Sequence, residues 1–266
     1  MNYHHQGDQL LSRGDDWAEK LAAEIAHLLD IPAARVEFAR TGDQVGVVSA
    51  DVTHGTADLT MGNEVLQDVN PAYPVATIGE VRGYTLEIVL EALESQEVRP
   101  PPGTSPRLSA PAVFAGYLVL DALIGNTDRH HENWALLAQP GEPATLAPSY
   151  DHATSLGAQL SDADRSNRCA TNDSNQTPEA YARKARSRPF QGRPSLVALA
   201  LRALATLPEP AIAHYRSQLD ILTNSALASL CEAIPPARMS QPARIFARRM
   251  VAENRRRLVD GIHGRR

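Results

Sequence analysis

The sequence predicts an α+β fold in which a small mixed segment leads and a mostly helical segment follows. Three observations predict it. The first eighty residues combine one amphipathic helix with two β-rich stretches. The stretch PAVFAGYLVLDALIG, residues 111–125, is apolar almost all round, the pattern of a helix inside a helical layer. From Ser195 onward the chain is rich in Ala, Leu and Arg at helical spacing. The 266 residues divide near 83/84. The leading piece is too small to hold a good core alone, so independent folding of residues 1–83 is not expected.

DDWAEKLAAEIAHLLDIP sets Trp17, Leu21, Ile25 and Leu28 on one helical face, with Asp15 or Asp16 as cap and Pro32 as stop. ARVEFAR and QVGVVSADV follow, joined by the hairpin signal TGD. Residues 53–83 read as irregular, with a short helical turn at GNEVLQDV. TLEIVLEALESQ is a helix capped by Thr85, and a Pro-rich loop leads from it to the central helix. NWALLAQPGEPATLAPSYD reads as a β-hairpin around QPGEP. Residues 161–193 are polar and predict a long, partly mobile segment; no internal repeat is visible.

Composition excludes several classes. A net charge of -5 argues against a dedicated nucleic-acid binder, despite basic clusters at 183–193 and 244–266, and no direct nucleic-acid binding is expected. The two cysteines, Cys169 and Cys231, form no CxxC pair, which argues against a disulfide framework or a Cys-rich zinc site and fits a reducing cytoplasm. No apolar run is long enough for a leader or a membrane span, so a cytoplasmic protein without membrane contact is expected.

The stretch LIGNTDRHHENWALL, Leu123–Leu137, places six consecutive polar residues after an apolar helix. An Asp-x4-Asn loop, Asp128 to Asn133, can aim a carboxylate at a hydroxyl and an amide oxygen at a metal. A hairpin of the following length returns Asp151 close to Asn133, giving hard oxygen ligands suited to Mg2+. Such a set matches phosphoryl transfer, where catalysis is mainly positioning and charge neutralisation. The competing reading makes these residues Asx turns and helix caps. HHENW lacks the second His of a zinc helix. His130 can hydrogen-bond a phosphate oxygen or brace Asp128. Arg129 can pair with a backbone carbonyl or a phosphate. His131 and His152 fit structural positions.

GNTDRHHENW followed by LAPSYDHATSLG resembles the catalytic core of the HipA-like kinases, toxin-type Ser/Thr kinases of bacteria. The wider group includes the phosphatidylinositol 3-/4-kinases, and the looser similarity covers most of the chain. The resemblance implies a protein-kinase-like fold, with a reduced N-lobe of helix and short antiparallel strands over 1–83 and a helical C-lobe over 84–266. It implies ATP and Mg2+ as cofactors and a protein hydroxyl as acceptor. By position, Asp128 is the catalytic Asp, assisted by His130; Asn133 and Asp151 are the metal ligands; Glu24, Arg129 and His152 lie on the nucleotide side. An antitoxin-like or N-lobe-completing partner is also implied.

The pattern departs from the family at the N-terminus. A Gly-rich loop and a strand Lys should precede the Trp17 helix, and residues 1–16 hold neither. Lys20 and Lys184 are the only lysines, and Lys20 lies inside the helix, where Glu24 can pair with it at i,i+4. Glu19 and Glu24 are candidates for the helix Glu, and Arg13 for a cationic substitute. A truncated chain, a reduced kinase, or a partner that completes the lobe would each account for this. An inactive pseudokinase-like binding module and a lipid kinase, using the basic C-terminal helix at a membrane, are the alternatives. Ser166, Thr171, Ser174 and Thr177 make 161–193 a candidate substrate or activation segment.

Overall fold

The computed structural model describes residues 3–6, 9–12, 14–74 and 79–264. Arg13 lies outside the described residues. Tyr3–Gln6 (β1) and Gln9–Ser12 (β2) pair antiparallel, a hairpin not expected from the sequence. Asp15–Leu28 (α1) buries Trp17, Leu21 and Ile25 on one face, as its spacing predicts. Gly14, not an Asp, takes the cap position, because a Cβ there would meet the Trp17 indole at 2.2 Å. Asp15 and Asp16 sit instead in the first turn, where negative charge favours the helix dipole.

Val36–Thr41 (β3) and Gln44–Ser49 (β4) form the expected hairpin, turning at Gly42 with φ 57°. Lys20 fastens α1 to it, donating to the Val36 carbonyl at 2.7 Å and to Glu37 at 3.0 Å. Asp58–Met61 (β5) leads into Gly62–Val69 (α2), and Thr85 caps Leu86–Ser95 (α3), its hydroxyl accepting from the Ile88 N–H.

Ala110–Ile124 (α4) is the centre of the molecule, and all fifteen of its residues are buried. Gly125 ends it in the left-handed conformation, φ 68° and ψ 32°, which a side chain would strain. The polar loop follows, then Ala135–Ala138 (β6) and Thr145–Leu146 (β7), the expected hairpin. β5 pairs with β6 across the other edge, giving the order β5-β6-β7.

The segment 161–193 departs from expectation. It folds as two capped helices, Asp162–Ala170 (α5) and Pro178–Lys184 (α6), not as a mobile stretch. Ser161 and Asp164 complete a capping box, and the Thr177 hydroxyl caps α6. Polar composition hid these helices because their stability comes from caps and from ion pairs to a distant helix. Leu196–Ala205 (α7), Glu209–Ile221 (α8), Asn224–Ala233 (α9) and Gln241–His263 (α10) complete the helical part. α10 packs against α4, α5, α6 and α7. Its arginines are largely engaged within the chain: Arg249 grips Glu179 through two bonds of 2.7 and 2.8 Å, and Arg255 donates to the Leu219 carbonyl. No helix among the described residues is long and apolar enough to cross a membrane.

Candidate active site

The polar loop begins where α4 stops. Asn126, fully buried, donates to Asp121 at 2.8 Å, and its amide oxygen accepts from the Asp128 N–H at 3.1 Å. These two bonds hold the turn into Asp128. Asp128 is half-buried, and its carboxylate has no partner among the described residues. Five residues on, the Asn133 amide nitrogen donates to the Asp128 carbonyl at 2.8 Å. That bond orients the amide and leaves its oxygen available as a ligand.

Arg129 holds the loop from beneath. It is 2% exposed, yet every guanidinium N–H is used. Nε and Nη2 clasp the Asp121 carboxylate at 2.9 and 2.8 Å. Nη1 donates to the carbonyls of Asn133 at 2.7 Å and Tyr150 at 3.3 Å, and Nη2 to Ser149 Oγ at 2.9 Å. One nitrogen thus brings Asn133 and the chain before Asp151 together, as the hairpin length predicts. The expectation that Arg129 serves the nucleotide is corrected: no donor is left for a phosphate. Of the two partners open to it, the backbone carbonyl is the one realised.

His152 requires a similar correction. Its ring is buried, with Nε2 2.8 Å from Ser149 Oγ and Nδ1 3.2 Å from a Glu19 oxygen. Its backbone N–H donates to the other Glu19 oxygen. Both ring nitrogens are occupied, so His152 braces the loop and does not reach a cofactor. Burial would raise the Glu19 carboxyl, but the hydrogen bonds and charge of His152, helped by Arg129, outweigh it and hold it below the usual range.

Glu24 is the third correction. It pairs with Lys20 at 2.8 Å, its side chain 38% exposed, and is not among the residues that line the cleft beside Asp151. Lys20 is spent on Glu24, Glu37 and the Val36 carbonyl. Glu19, one helical turn and one residue earlier, is the α1 carboxylate that faces the site.

A cleft of about 410 Å³ opens between α1, the end of β4 and the 150–151 turn. Glu19, Asp51, Leu59, Tyr150 and Asp151 line it. Asp128 and Asn133 do not line it directly; Arg129 ties their loop to Tyr150, which does. No Lys or Arg among the described residues lines it. Loss of solvent pushes the Asp151 carboxyl up from its ordinary value, and the Glu19 charge adds to this. Asp51 goes the other way, held down by hydrogen bonds from Thr53. Asp151 also has φ 59°, left-handed for a residue with a side chain. Its neighbours explain it: Tyr150 is held by Arg129 and His152 by Glu19, so the turn between them is fixed.

His130 and His131 separate cleanly. His131 is buried, its Nδ1 2.8 Å from the Tyr73 hydroxyl, and is structural. His130 is partly exposed, and its Nδ1 accepts from the Glu132 N–H at 3.2 Å. The neutral ring then carries its proton on Nε2, which is free to donate. No group of three His, Cys, Asp or Glu that could hold a metal occurs among the described residues. Asn133 and Asp151 as an oxygen pair fit Mg2+, which takes one or two protein oxygens and completes its shell with phosphate and water.

Sequence reasoning passed over Asp121 and Ser149. The signal for Asp121 was present: one carboxylate in an otherwise apolar helix, eight residues before an Arg.

The chain has a kinase-like fold. A crystal structure of the Helicobacter pylori proinflammatory kinase CtkA superposes with a TM-score of 0.72 at 18% identity, over 95% of this chain and 84% of that one. HipA from the Shewanella oneidensis MR-1 toxin–antitoxin system, solved with HipB and operator DNA, gives 0.54 at 14% identity, over 93% of this chain and 55% of that one. No family model and no curated protein matches the sequence.

Proposed function

We propose that this chain is a HipA-like serine/threonine protein kinase that transfers the γ-phosphoryl group of ATP to a protein hydroxyl. The observation that carries the reading is that Asn133 and Tyr150, next to Asp151, are held on one Arg129 nitrogen, with Asp128 bonded to Asn133. Asp128 orients the acceptor hydroxyl and takes its proton as the new O–P bond forms. The bond from the γ-phosphorus to the bridging oxygen breaks, and ADP leaves with that oxygen's electron pair. Asn133 Oδ1 and an Asp151 oxygen would hold Mg2+, which would supply neutralisation of phosphate charge. His130 Nε2–H donates to a phosphate oxygen. Glu19 fixes the Asp151 turn through His152. The cleft beside the 49–52 segment receives the nucleoside. A cytoplasmic location and a HipB-like antitoxin partner belong to the same reading, by analogy with the Shewanella complex.

The test is transfer of labelled phosphate from Mg-ATP, comparing the chain with Asp128→Ala and Asp151→Ala. Labelling lost in both variants, with fold retained, is the expected result; equal labelling in all three sinks the proposal.

One observation favours a second reading, a pseudokinase-like binding module. Lys20 is committed to α1 and β3 and cannot serve the phosphates. Thermal shift separates the two, because a ligand that binds only the folded state raises its melting temperature. A clear rise with Mg-ATP but not with ATP and chelator favours the kinase.

A further inference from the structure

The kinase reading leaves the acceptor protein undefined, and the surface beside Asp128 carries a feature it does not use. The loop from α6 to α7 returns across the polar loop. The Arg188 N–H donates at 2.9 Å to the carbonyl of Thr127, the residue before Asp128. The loop is held on several sides. Val81 donates to the Pro189 carbonyl and Gln191 to the Tyr84 carbonyl, both at 2.9 Å. The Phe190 and Tyr84 rings stack with centroids 4.3 Å apart, and the Tyr84 hydroxyl donates to the Arg129 carbonyl. The Arg188 backbone is therefore fixed relative to Asp128.

Its guanidinium is exposed and has no carboxylate partner among the described residues. Of the arginines around it, Arg193 pairs with Glu80, Arg183 with Glu253 and Arg165 with Asp162, while Arg186 donates to the Arg193 carbonyl. Arg168, on α5, also has no carboxylate partner among the described residues; it lies 5.4 Å over the Tyr181 ring and donates to the Gln176 carbonyl. In a chain of net charge -5, Arg188 puts an unpaired positive charge on a backbone bonded to the residue before the candidate catalytic Asp.

We propose that Arg188 selects an acidic segment of a protein substrate and holds an Asp or Glu near the acceptor hydroxyl. An Arg side chain spans roughly two residues of extended peptide at about 3.4 Å each, so the acidic residue lies within about three positions of the acceptor. Bidentate pairing of a guanidinium with a carboxylate supplies the orientation. The inference deepens the kinase reading and rests on it, but its binding half is measurable without catalysis.

The experiment uses two fluorescent Ser peptides, flanked by Glu in one and by Lys in the other. Binding to the full chain is read by anisotropy without nucleotide, and phosphate transfer is then read with Mg-ATP. The expected result is tighter binding of the acidic peptide by roughly fivefold or more at low salt, a margin that shrinks as salt rises. Arg188→Glu reverses the preference in both readouts and leaves the KM for ATP unchanged. Equal binding of the two peptides, or an Arg188→Glu chain that still prefers the acidic one, overturns the proposal. So does a single-stranded oligonucleotide that displaces the acidic peptide at equal charge, because the patch then reads phosphate. A binding preference without transfer to either peptide counts against the kinase reading alone and supports the selection of acidic segments.

Discussion

Arg129 and Asp121 meet inside the protein as a doubly bonded ion pair, Nε to one carboxylate oxygen at 2.9 Å and Nη2 to the other at 2.8 Å. The pair joins the central helix to the polar loop. From it a continuous buried chain runs through Ser149 and His152 to Glu19 on α1. Removing one member of a buried pair leaves an uncompensated charge and costs about 3–5 kcal/mol. Arg129→Met is therefore expected to lose stability on that scale in urea denaturation. The double change Asp121→Leu with Arg129→Met is expected to lose less, since no lone charge remains. Equal losses in the two would show that the pair is not what holds the loop.

Asp151 shows the opposite economy. Its carboxyl is pushed up by lost solvent and by the Glu19 charge, so the folded state disfavours its ionised form. A carboxyl with a raised folded-state pKa lowers stability as pH climbs through the unfolded value. Asparagine keeps the shape and tolerates the left-handed backbone at this position. Asp151→Asn is expected to melt no lower than the parent at pH 7, and higher if the charge is the main strain, while phosphate transfer is lost. A lower melting temperature in differential scanning calorimetry would show the carboxylate to be stabilising.

Much of this was legible in the sequence. The apolar periodicity of α4, the caps at Thr85 and the QPGEP hairpin predicted elements that the structure contains. The hairpin spacing anticipated that the chain at Asn133 and at Tyr150 would meet, and both carbonyls accept from Arg129. What was hidden was the purpose of individual polar side chains. The family resemblance put Arg129 and His152 on the nucleotide side, and pattern carries no information on burial. Glu19 and Glu24 differ by five positions on one helix, and only the packing of α1 decides which faces the cleft. The helices in 161–193 were missed for a related reason: their hydrogen bonds and ion pairs reach α10, seventy residues away.

The start of α2 makes a close approach that sequence could not show. A Cβ on Gly62 would meet the Trp134 indole at 2.2 Å and the His131 carbonyl at 2.5 Å. The Gly62 N–H also donates to the Trp134 carbonyl at 2.9 Å. Trp134 is fully buried and follows Asn133, so displacing it moves the polar loop. Gly62→Ala is expected to cost about 1–3 kcal/mol as overpacking. Urea denaturation with tryptophan fluorescence reports both the loss and the shift in the indole environment. A neutral change would mean that the loop is softer than its contacts imply.

Glu19 contributes to the acid sensitivity of the fold. Its carboxyl is held below the ordinary value of 4.5, because the bonds from His152 outweigh the burial that would raise it. A depressed folded-state pKa means that the unfolded chain binds the proton first as pH falls. The stabilisation is then complete above about pH 5.5 and declines as pH drops through 4.5 toward the folded value. Glu19→Gln removes this dependence and leaves the His152 ring with a weaker acceptor. The variant is expected to be less stable than the parent at pH 7 and to converge on it near pH 3, when urea midpoints are measured across that range. A constant gap between the two curves would place the value of Glu19 in its packing and not in its charge.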